Sequence, residues 1–500
     1  MTVAFSSSNP HHNRPFIWRS GLMLAFVVIV SVGAYLLISA IRGHVGFPLD
    51  DAWIHQTYAR NLALHGEWAF IHGQPSGGST APLWSALLAV GFWLKLAPYA
   101  WAFLLGAAAL WGVAMCGEMA VRQLVPSYRP IFPWVGTVLA LEWHLVWAAS
   151  SGMETLLHAL LVTVVLVLLI LGSRRYFLLG LLIGLSTWVR PDGITLLGPA
   201  LMVILLDRRP WSMRFRALTN LCLGFGSLFA SYLLFNLKFS GSPWPNTFYA
   251  KQAEYASSLE RPLLARFGQE AAQPLFGAGM ILLPGVLLKL VSCLHRRQWG
   301  VVAAVIWVLG FLGLYAWRLP VTYQYGRYVM PVMPITFLLG LIGLVEFIRP
   351  RLEGWRWVVT ELWKLSLAGI LVVFWALGAF SYAKDVAFID NEMVTTAQWV
   401  SENVPPGELV AAHDIGAMGY FGNHDLVDLA GLITPEVVPF IRNEVRISSY
   451  LDRRQVKYVI IFPDWYPQLV AGLQPVYMTS SYYAPGSGGS NMAVYRWPGP

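Results

Sequence analysis

Two adjacent carboxylates, Asp50 and Asp51, stand in the polar segment FPLDDAWIHQTYARNLALHGEWAF that follows the first apolar run of the chain. A partly buried carboxylate can be tuned toward the pKa that a general base needs, so one of the pair could take a proton from a hydroxyl. The two acids also follow Pro48 and precede Ile54, Tyr58 and Leu62 at helical spacing, a pattern equally read as acids at a helix start. Glu154, in SGMET, closes a polar gap between apolar runs, where an acid needs either a partner or a role, an interfacial cap being the plain alternative. WVRPDG breaks an apolar stretch with Arg190, Pro191 and Asp192; a broken helix carrying charge lines a cavity as readily as it makes an Arg–Asp turn. SPWPNTFYAK is bounded by prolines and carries Asn246, Tyr249 and Lys251, whose ammonium could hold a phosphate as a point charge. TYQYGRYVMP sets Arg327 between Tyr325 and Tyr328, as a second anion-binding cation or as a snorkelling arginine in an aromatic belt.

The elements that must position these residues follow from composition. With 56% hydrophobic and 12% charged residues, the chain has about half the charge density of water-soluble domains, and the bilayer is its expected solvent. Apolar runs lie near 16–41, 81–96, 99–121, 131–149, 155–172, 176–190, 193–206, 217–236, 274–293, 299–317, 328–348 and 365–384. The run 81–96 is short, tryptophan-bearing and closed by Lys95 and Pro98, so it is expected to lie in the interface. Omitting it places the Arg174/Arg175, Arg208 to Arg216, Arg296/Arg297 and Arg349 to Lys364 clusters on one side with Arg14 and Arg19, as the positive-inside rule requires. The expectation is therefore a polytopic α-helical membrane protein of about eleven spans.

Its divisions are expected to be a disordered cytoplasmic N-terminus at 1–15, a membrane domain at 16–384 with a large first outer loop at 42–98, and an extracytoplasmic soluble α/β domain at 385–500. The net charge of +8 is dispersed between apolar runs, which argues for topology and against a nucleic-acid partner. Cys116, Cys222 and Cys293 all sit in apolar runs without metal-ligand spacing. In the tail, His413, Asp414, His424 and Asp425 are expected at surface turns between short strands. The chain has no internal repeat of the kind that many transporters carry.

Taken in order, DDAWIHQTYARNLALHG, GGSTAPLW, SGMET, RPDG, PNTFYAK, YGRY, and a tail with HDIGAMGYF and VDLAGL resemble the GT-C membrane glycosyltransferases, specifically the bacterial group of aminoarabinose and arabinofuranosyl transferases. His55, Gln56 and the segment Trp68 to His72 depart from the family pattern. The resemblance implies an inverting transfer of a sugar from a polyprenyl-phosphate donor to an acceptor hydroxyl on a glycan, lipid or protein, at the extracytoplasmic membrane face. It puts Asp51 at the base, with Asp50 as its electrostatic neighbour. Glu154 and His55 fall near the acceptor, Lys251, Arg327 and Arg190 at the donor phosphate, and Tyr58, Asn246, Tyr249 and Tyr325 elsewhere in the cavity. No cofactor is required by such chemistry, although Asp50, Asp51 and Glu154 offer hard oxygen ligands to a divalent cation. A lipid or polysaccharide transporter and a non-catalytic scaffold of the same fold are the alternatives.

Overall fold

The structure is a computed structural model that describes residues 10–347 and 354–499. The expected N-terminal segment therefore lies outside the described residues as far as residue 9, and the first helix is described from Pro10. Part of the Arg349 to Lys364 cluster is likewise outside them.

In place of eleven similar spans, seven helices among the described residues are long and apolar enough to cross a membrane: Ile17–Ile41, Pro98–Leu124, Trp211–Ser240, Ala278–Arg296, Trp299–Arg318, Met330–Phe347 and Trp355–Asn403. Four shorter apolar helices, Pro82–Trp93, Thr155–Ile170, Tyr176–Val189 and Pro191–Leu205, complete the bundle. The shortening has local causes. The 12-residue Pro82–Trp93 reaches only about 18 Å against a hydrocarbon core of about 30 Å. Tyr176–Val189 stops because Arg190 precedes a proline and takes an extended backbone, φ −151° and ψ 137°. The run expected at 131–149 is two helices, Trp134–Leu141 and Trp143–Ala149, divided at Glu142. Its buried carboxylate accepts the Leu145 N–H at 3.2 Å, so capping a new helix solves the problem that continuing the old one would pose.

The segment after the first long helix contains the helix Asp51–His65, stopped by left-handed Gly66, and a hairpin of β1 (Ala69–Ile71) and β2 (Gln74–Pro75). At the other end of the chain the boundary expected at 385 falls inside a continuous helix. Trp355–Ile389 runs through a π-turn at Asp390–Val394 into Thr395–Asn403. The π-turn sets fully buried Glu392 against the C-terminal region, where its carboxylate accepts from Thr479 Oγ1, Ser481 Oγ, Asn491 Nδ2 and Met492 N–H.

The sheet that follows holds β3 (Val410–Ala412), β4 (Leu426–Asp428), β5 (Tyr458–Ile461), β6 (Pro475–Met478) and β7 (Ala493–Arg496) in the order β4-β3-β5-β7-β6. The first three strands are parallel and β7 runs antiparallel to both neighbours. Alternation along the strands gives it two buried faces. Ala411, Val427, Val459 and Ile461 pack with Ile447 and Leu451 of the helix Glu444–Arg454, while Val410, Ala412, Leu426 and Ile460 join the core of the helical body. The tail is α/β as expected, but it is no free-standing soluble unit, because one whole face of its sheet shares its core with the membrane helices.

Close helix approach depends on small residues, as in membrane bundles generally. A Cβ on Gly180 would lie 2.3 Å from the Leu221 carbonyl oxygen, and one on Gly224 2.2 Å from that of Phe177. Gly224→Ile is expected to cost about 1–3 kcal/mol through overpacking, read as a lower unfolding midpoint in detergent. Gly226→Ile, where a Cβ meets nothing within 4 Å, should leave the midpoint in place.

Candidate functional site

Three separate segments bring charge to one point. Asp51 opens its helix, Lys251 lies in the short helix Asn246–Glu254 that Pro245 starts, and Arg327 follows a chain reversal. In that reversal Gln324, Tyr325 and Gly326 take φ of 55°, 58° and 65° in succession, a left-handed run that side-chain-bearing residues resist. Arg327 Nη2 donates to Asp51 Oδ2 at 2.6 Å and to the Tyr328 hydroxyl at 3.1 Å, and Lys251 Nζ donates to the same Asp51 oxygen at 3.3 Å. Burial alone would raise the Asp51 carboxyl, but Lys251 and Arg327 outweigh it and hold the group well below the usual carboxylate range. The buried Arg327 guanidinium keeps Nε and Nη1 without a hydrogen-bond partner among the described residues.

Beside this triad runs a second charged array. Arg190 Nη1 donates to Glu154 Oε1 at 3.2 Å, its Nε and Nη2 reach Asp192 Oδ2 at 3.3 Å, and Nη2 donates to the Tyr315 hydroxyl at 2.9 Å. Tyr315 in turn donates to Asp192. His55 Nε2 lies 3.4 Å from Glu154 Oε2, so with its proton there its Nδ1 accepts from the Ser85 hydroxyl at 3.0 Å. His158 Nε2 stands 3.1 Å from Asp192 Oδ1 and its Nδ1 takes the Ser186 hydroxyl at 3.1 Å. Burial would raise Glu154, yet the His55 contact and the Arg190 charge bring it down to about 2.

Two cavities meet at the triad. One, of about 300 Å³, is lined by Asp51, His55, Glu154, Arg190, Lys251 and Arg327 on its polar side and by apolar groups including Trp244, Phe248 and Leu314. The other, of about 650 Å³, extends toward the C-terminal sheet and is more polar; Asp51, Lys251 and Arg327 line it too. The shared wall can neutralise an anion, and its carboxylate faces both spaces.

The structure thus brings Asp51, His55, Glu154, Arg190, Lys251 and Arg327 to one cavity wall. Arg190 is engaged by two carboxylates and a tyrosine, so Lys251 and Arg327, which share one carboxylate, and Arg318, held by Gln252 at 3.0 Å, are the cations of this lining with capacity for an added anion. Asp50 remains the electrostatic neighbour of Asp51 but departs from the helix-capping role. It makes no side-chain cap on its own helix; its carboxylate accepts the Gly416 N–H at 2.6 Å and the Ala417 N–H at 2.8 Å. A Cβ on Gly416 would lie 2.0 Å from the Asp50 carbonyl oxygen, so this docking requires glycine. Burial and neighbouring Asp414 push Asp50 up to about 8 against the pull of the two N–H groups.

Tyr58, Asn246, Tyr249 and Tyr325 line neither of these cavities. Fully buried Tyr58 accepts the Gly78 N–H at 2.8 Å and supports the GGST loop, since its direction along the helix points it into the hairpin. Asn246 starts its helix with its N–H on the Gly77 carbonyl, Tyr249 is exposed, and Tyr325 donates to Asp385 at 3.0 Å because the left-handed reversal turns it away. His413 and Asp414, expected at a surface turn, line the larger cavity with Glu254 and Asp385. Burial raises Asp414 to about 6. Their placement depends on the sheet docking face-on, which no local pattern in HDIG reveals. Among the described residues no three of His, Cys, Asp and Glu converge as a metal-binding group.

Residues 387–495 match a domain of unknown function, DUF8728. No curated protein sequence matches the chain. Among solved structures, ArnT from Cupriavidus metallidurans in the apo state aligns over 94% of this chain and 97% of its own, with TM-score 0.55 and 15% identity. The same enzyme bound to undecaprenyl phosphate aligns over the same shares, with TM-score 0.52 and 16% identity. The oligosaccharyltransferase AglB from Archaeoglobus fulgidus, in complex with an inhibitory peptide and a dolichol-phosphate, aligns over 88% of this chain and 69% of its own, with TM-score 0.58 and 10% identity. The fold of the chain is thus that of the GT-C membrane glycosyltransferases.

The array makes a pH prediction. Because Glu154 is lowered from its ordinary 4.5 to about 2, its stabilisation is present above pH 4.5 and lost as pH falls toward 2. Thermal unfolding of Glu154→Gln at constant ionic strength should show a shallower loss of stability over that interval than the native protein; equal slopes would mean that Glu154 has no such ion pair.

Proposed function

We propose that this GT-C-fold protein transfers a sugar, with inversion, from a polyprenyl-phosphate donor to an acceptor hydroxyl at the extracytoplasmic membrane face. One observation carries the reading: the Arg327 guanidinium and the Lys251 ammonium share a single carboxylate, Asp51, on a wall common to an apolar-lined cavity and a polar one. Two cations against one carboxylate leave an excess of positive charge on that wall, which a phosphate would balance with charge-assisted hydrogen bonds. Solved structures of the same fold hold undecaprenyl phosphate in ArnT and dolichol-phosphate in AglB, which supports a lipid phosphate here.

The proposed sequence starts from the shared ion pair. A donor phosphate competes with Asp51 for Arg327 and Lys251, its lipid chain lying along the apolar side near Trp244, Phe248 and Leu314. As the two cations turn to phosphate, the force holding Asp51 below the usual range weakens and the carboxylate becomes a better base. Asp51 then takes the proton of the acceptor hydroxyl while that oxygen bonds to the anomeric carbon. The anomeric carbon–oxygen bond to phosphate breaks, and the electron pair leaves with polyprenyl phosphate, whose charge Arg327 and Lys251 stabilise. A phosphate is already a good leaving group, so the covalent intermediate of retaining glycosidases is not needed. The two cations serve the charge that a metal would otherwise balance, and the reaction is proposed to need no resident cofactor.

Purified membranes supplied with a panel of radiolabelled polyprenyl-phosphate sugars test this. Asp51→Asn is expected to lower product formation by about 10²–10⁴-fold at matched expression. Equal product from native and mutant protein would remove Asp51 from the base role, and no product with any donor would overturn the transferase reading. EDTA treatment followed by gel filtration should leave the native rate within about twofold, whereas loss restored by Mg²⁺ or Mn²⁺ would require a divalent cation at this wall.

A further inference from the structure

The larger cavity carries an electrostatic character that the triad does not explain. Its wall bears Asp50, Asp51, Glu254, Asp385, Asp414 and Asp464. Five of these acids have partners. Asp50 takes the Gly416 and Ala417 N–H groups, Asp51 takes Arg327 and Lys251, and Glu254 meets His413 at 3.2 Å and Arg442 at 3.8 Å. Asp385 accepts from Trp147 Nε1 and the Tyr325 hydroxyl, each at 3.0 Å, and Asp464 from Ser490. Asp414 makes no hydrogen bond or ion pair among the described residues; its Oδ2 is enclosed, which leaves Oδ1 as the oxygen toward the cavity.

The missing partner has a defined chemistry. Asp414 sits on the segment between β3 and the helix Gly416–Phe421, held in place by the Asp50 contact two residues later. A carboxylate so fixed, facing a cavity and without a donor, selects a group that brings a hydrogen to it. The charge balance selects further. Once Arg327 and Lys251 are engaged by a donor phosphate, Arg442 and His413, both beside Glu254, are the cations left on this wall, against Asp51, Asp385, Asp414 and Asp464, with Asp50 held up at about 8. A second anion brought into the cavity would meet repulsion with little to offset it. The burial that lifts Asp414 to about 6 fits a group short of partners.

We propose that the larger cavity is the acceptor chamber and that Asp414, delivered by the C-terminal sheet, is its positioning residue. It accepts a hydroxyl of a neutral polyhydroxylated acceptor and, with the surrounding carboxylates, turns away acceptors bearing phosphate or carboxylate. The assignment rests on the transferase reading for the word acceptor, while the preference for neutral polyols rests on this cavity alone.

Native protein, Asp414→Asn and Asp414→Ala, each in lipid nanodiscs, are examined by saturation-transfer NMR with maltose, glucuronate and glucose 6-phosphate, alongside undecaprenyl phosphate binding by native mass spectrometry. Maltose is expected to bind native protein, and roughly tenfold or more weaker to Asp414→Ala, the loss of one charge-assisted hydrogen bond. The two anionic probes are expected to give no signal in native protein, and undecaprenyl phosphate should bind all three proteins alike. Failure of maltose to bind native protein, binding unaffected by both substitutions, or anionic probes bound as well as maltose would each overturn the proposal. If Asp414→Ala fails to fold, the near-isosteric Asp414→Asn carries the test through the ratio of maltose to glucose 6-phosphate signal, which a structural defect would not change. Loss of undecaprenyl phosphate binding with the maltose pattern intact would count against the donor reading and leave the chamber standing.

Discussion

Asp51 holds two cations that reach it from 200 and 276 residues further along the chain. Bringing like charges to one point is unfavourable unless an opposite charge stands between them, so the carboxylate is the condition for Lys251 and Arg327 to share a wall. That wall divides an apolar-lined cavity from a polar one, and it exists only while the helix from Asp51, the helix bearing Lys251 and the reversal before Arg327 keep their places. Three consecutive residues at 324–326 hold left-handed φ there, a conformation that persists only where the surrounding structure fixes it.

The second array acts as the foundation of the first. Arg190 sits at a break that the following proline enforces, and its guanidinium ties Glu154, ahead of one short helix, to Asp192, at the start of another. Tyr328 lies between the arrays, its ring 5.5 Å from the Arg190 guanidinium carbon and 4.9 Å from that of Arg327. Buried charges joined in this way resist removal of any one member, since the partner is left uncompensated. The breaks at Glu154 and Arg190, which would be defects in a simple bundle, therefore serve the site by setting charged side chains inward.

The C-terminal sheet belongs to the same construction. Glu392 joins the last long helix to the strands, Asp50 joins the first loop to Gly416 and Ala417, and the alternation of β3, β4 and β5 supplies an apolar face to the helical body. In consequence Asp414 and His413 border a cavity that the membrane helices alone would leave open. The proposed division of labour, phosphate on the helical side and acceptor beneath the sheet, follows from where charge is matched and where it is left over.

Much of this was legible in the residues themselves. Membrane solvent, helical character and an α/β tail follow from hydropathy and alternation, because those patterns report burial directly. Asp51, Lys251 and Arg327 stood out because charge beside apolar runs is costly without a purpose. What the residues could not disclose is which charge meets which. DD in sequence looks like a pair, yet Asp50 accepts from a backbone 366 residues away while Asp51 takes Lys251 and Arg327. Arg190 and Arg327 look alike as motif arginines, yet one is closed in by carboxylates and the other keeps donors free. The apolar run at 131–149 looks continuous until Glu142 finds an N–H to accept. Composition and local spacing determine what each segment is and which residues are too expensive to be idle; only the tertiary structure decides their partners, because pairing depends on distances between segments that hydropathy cannot encode.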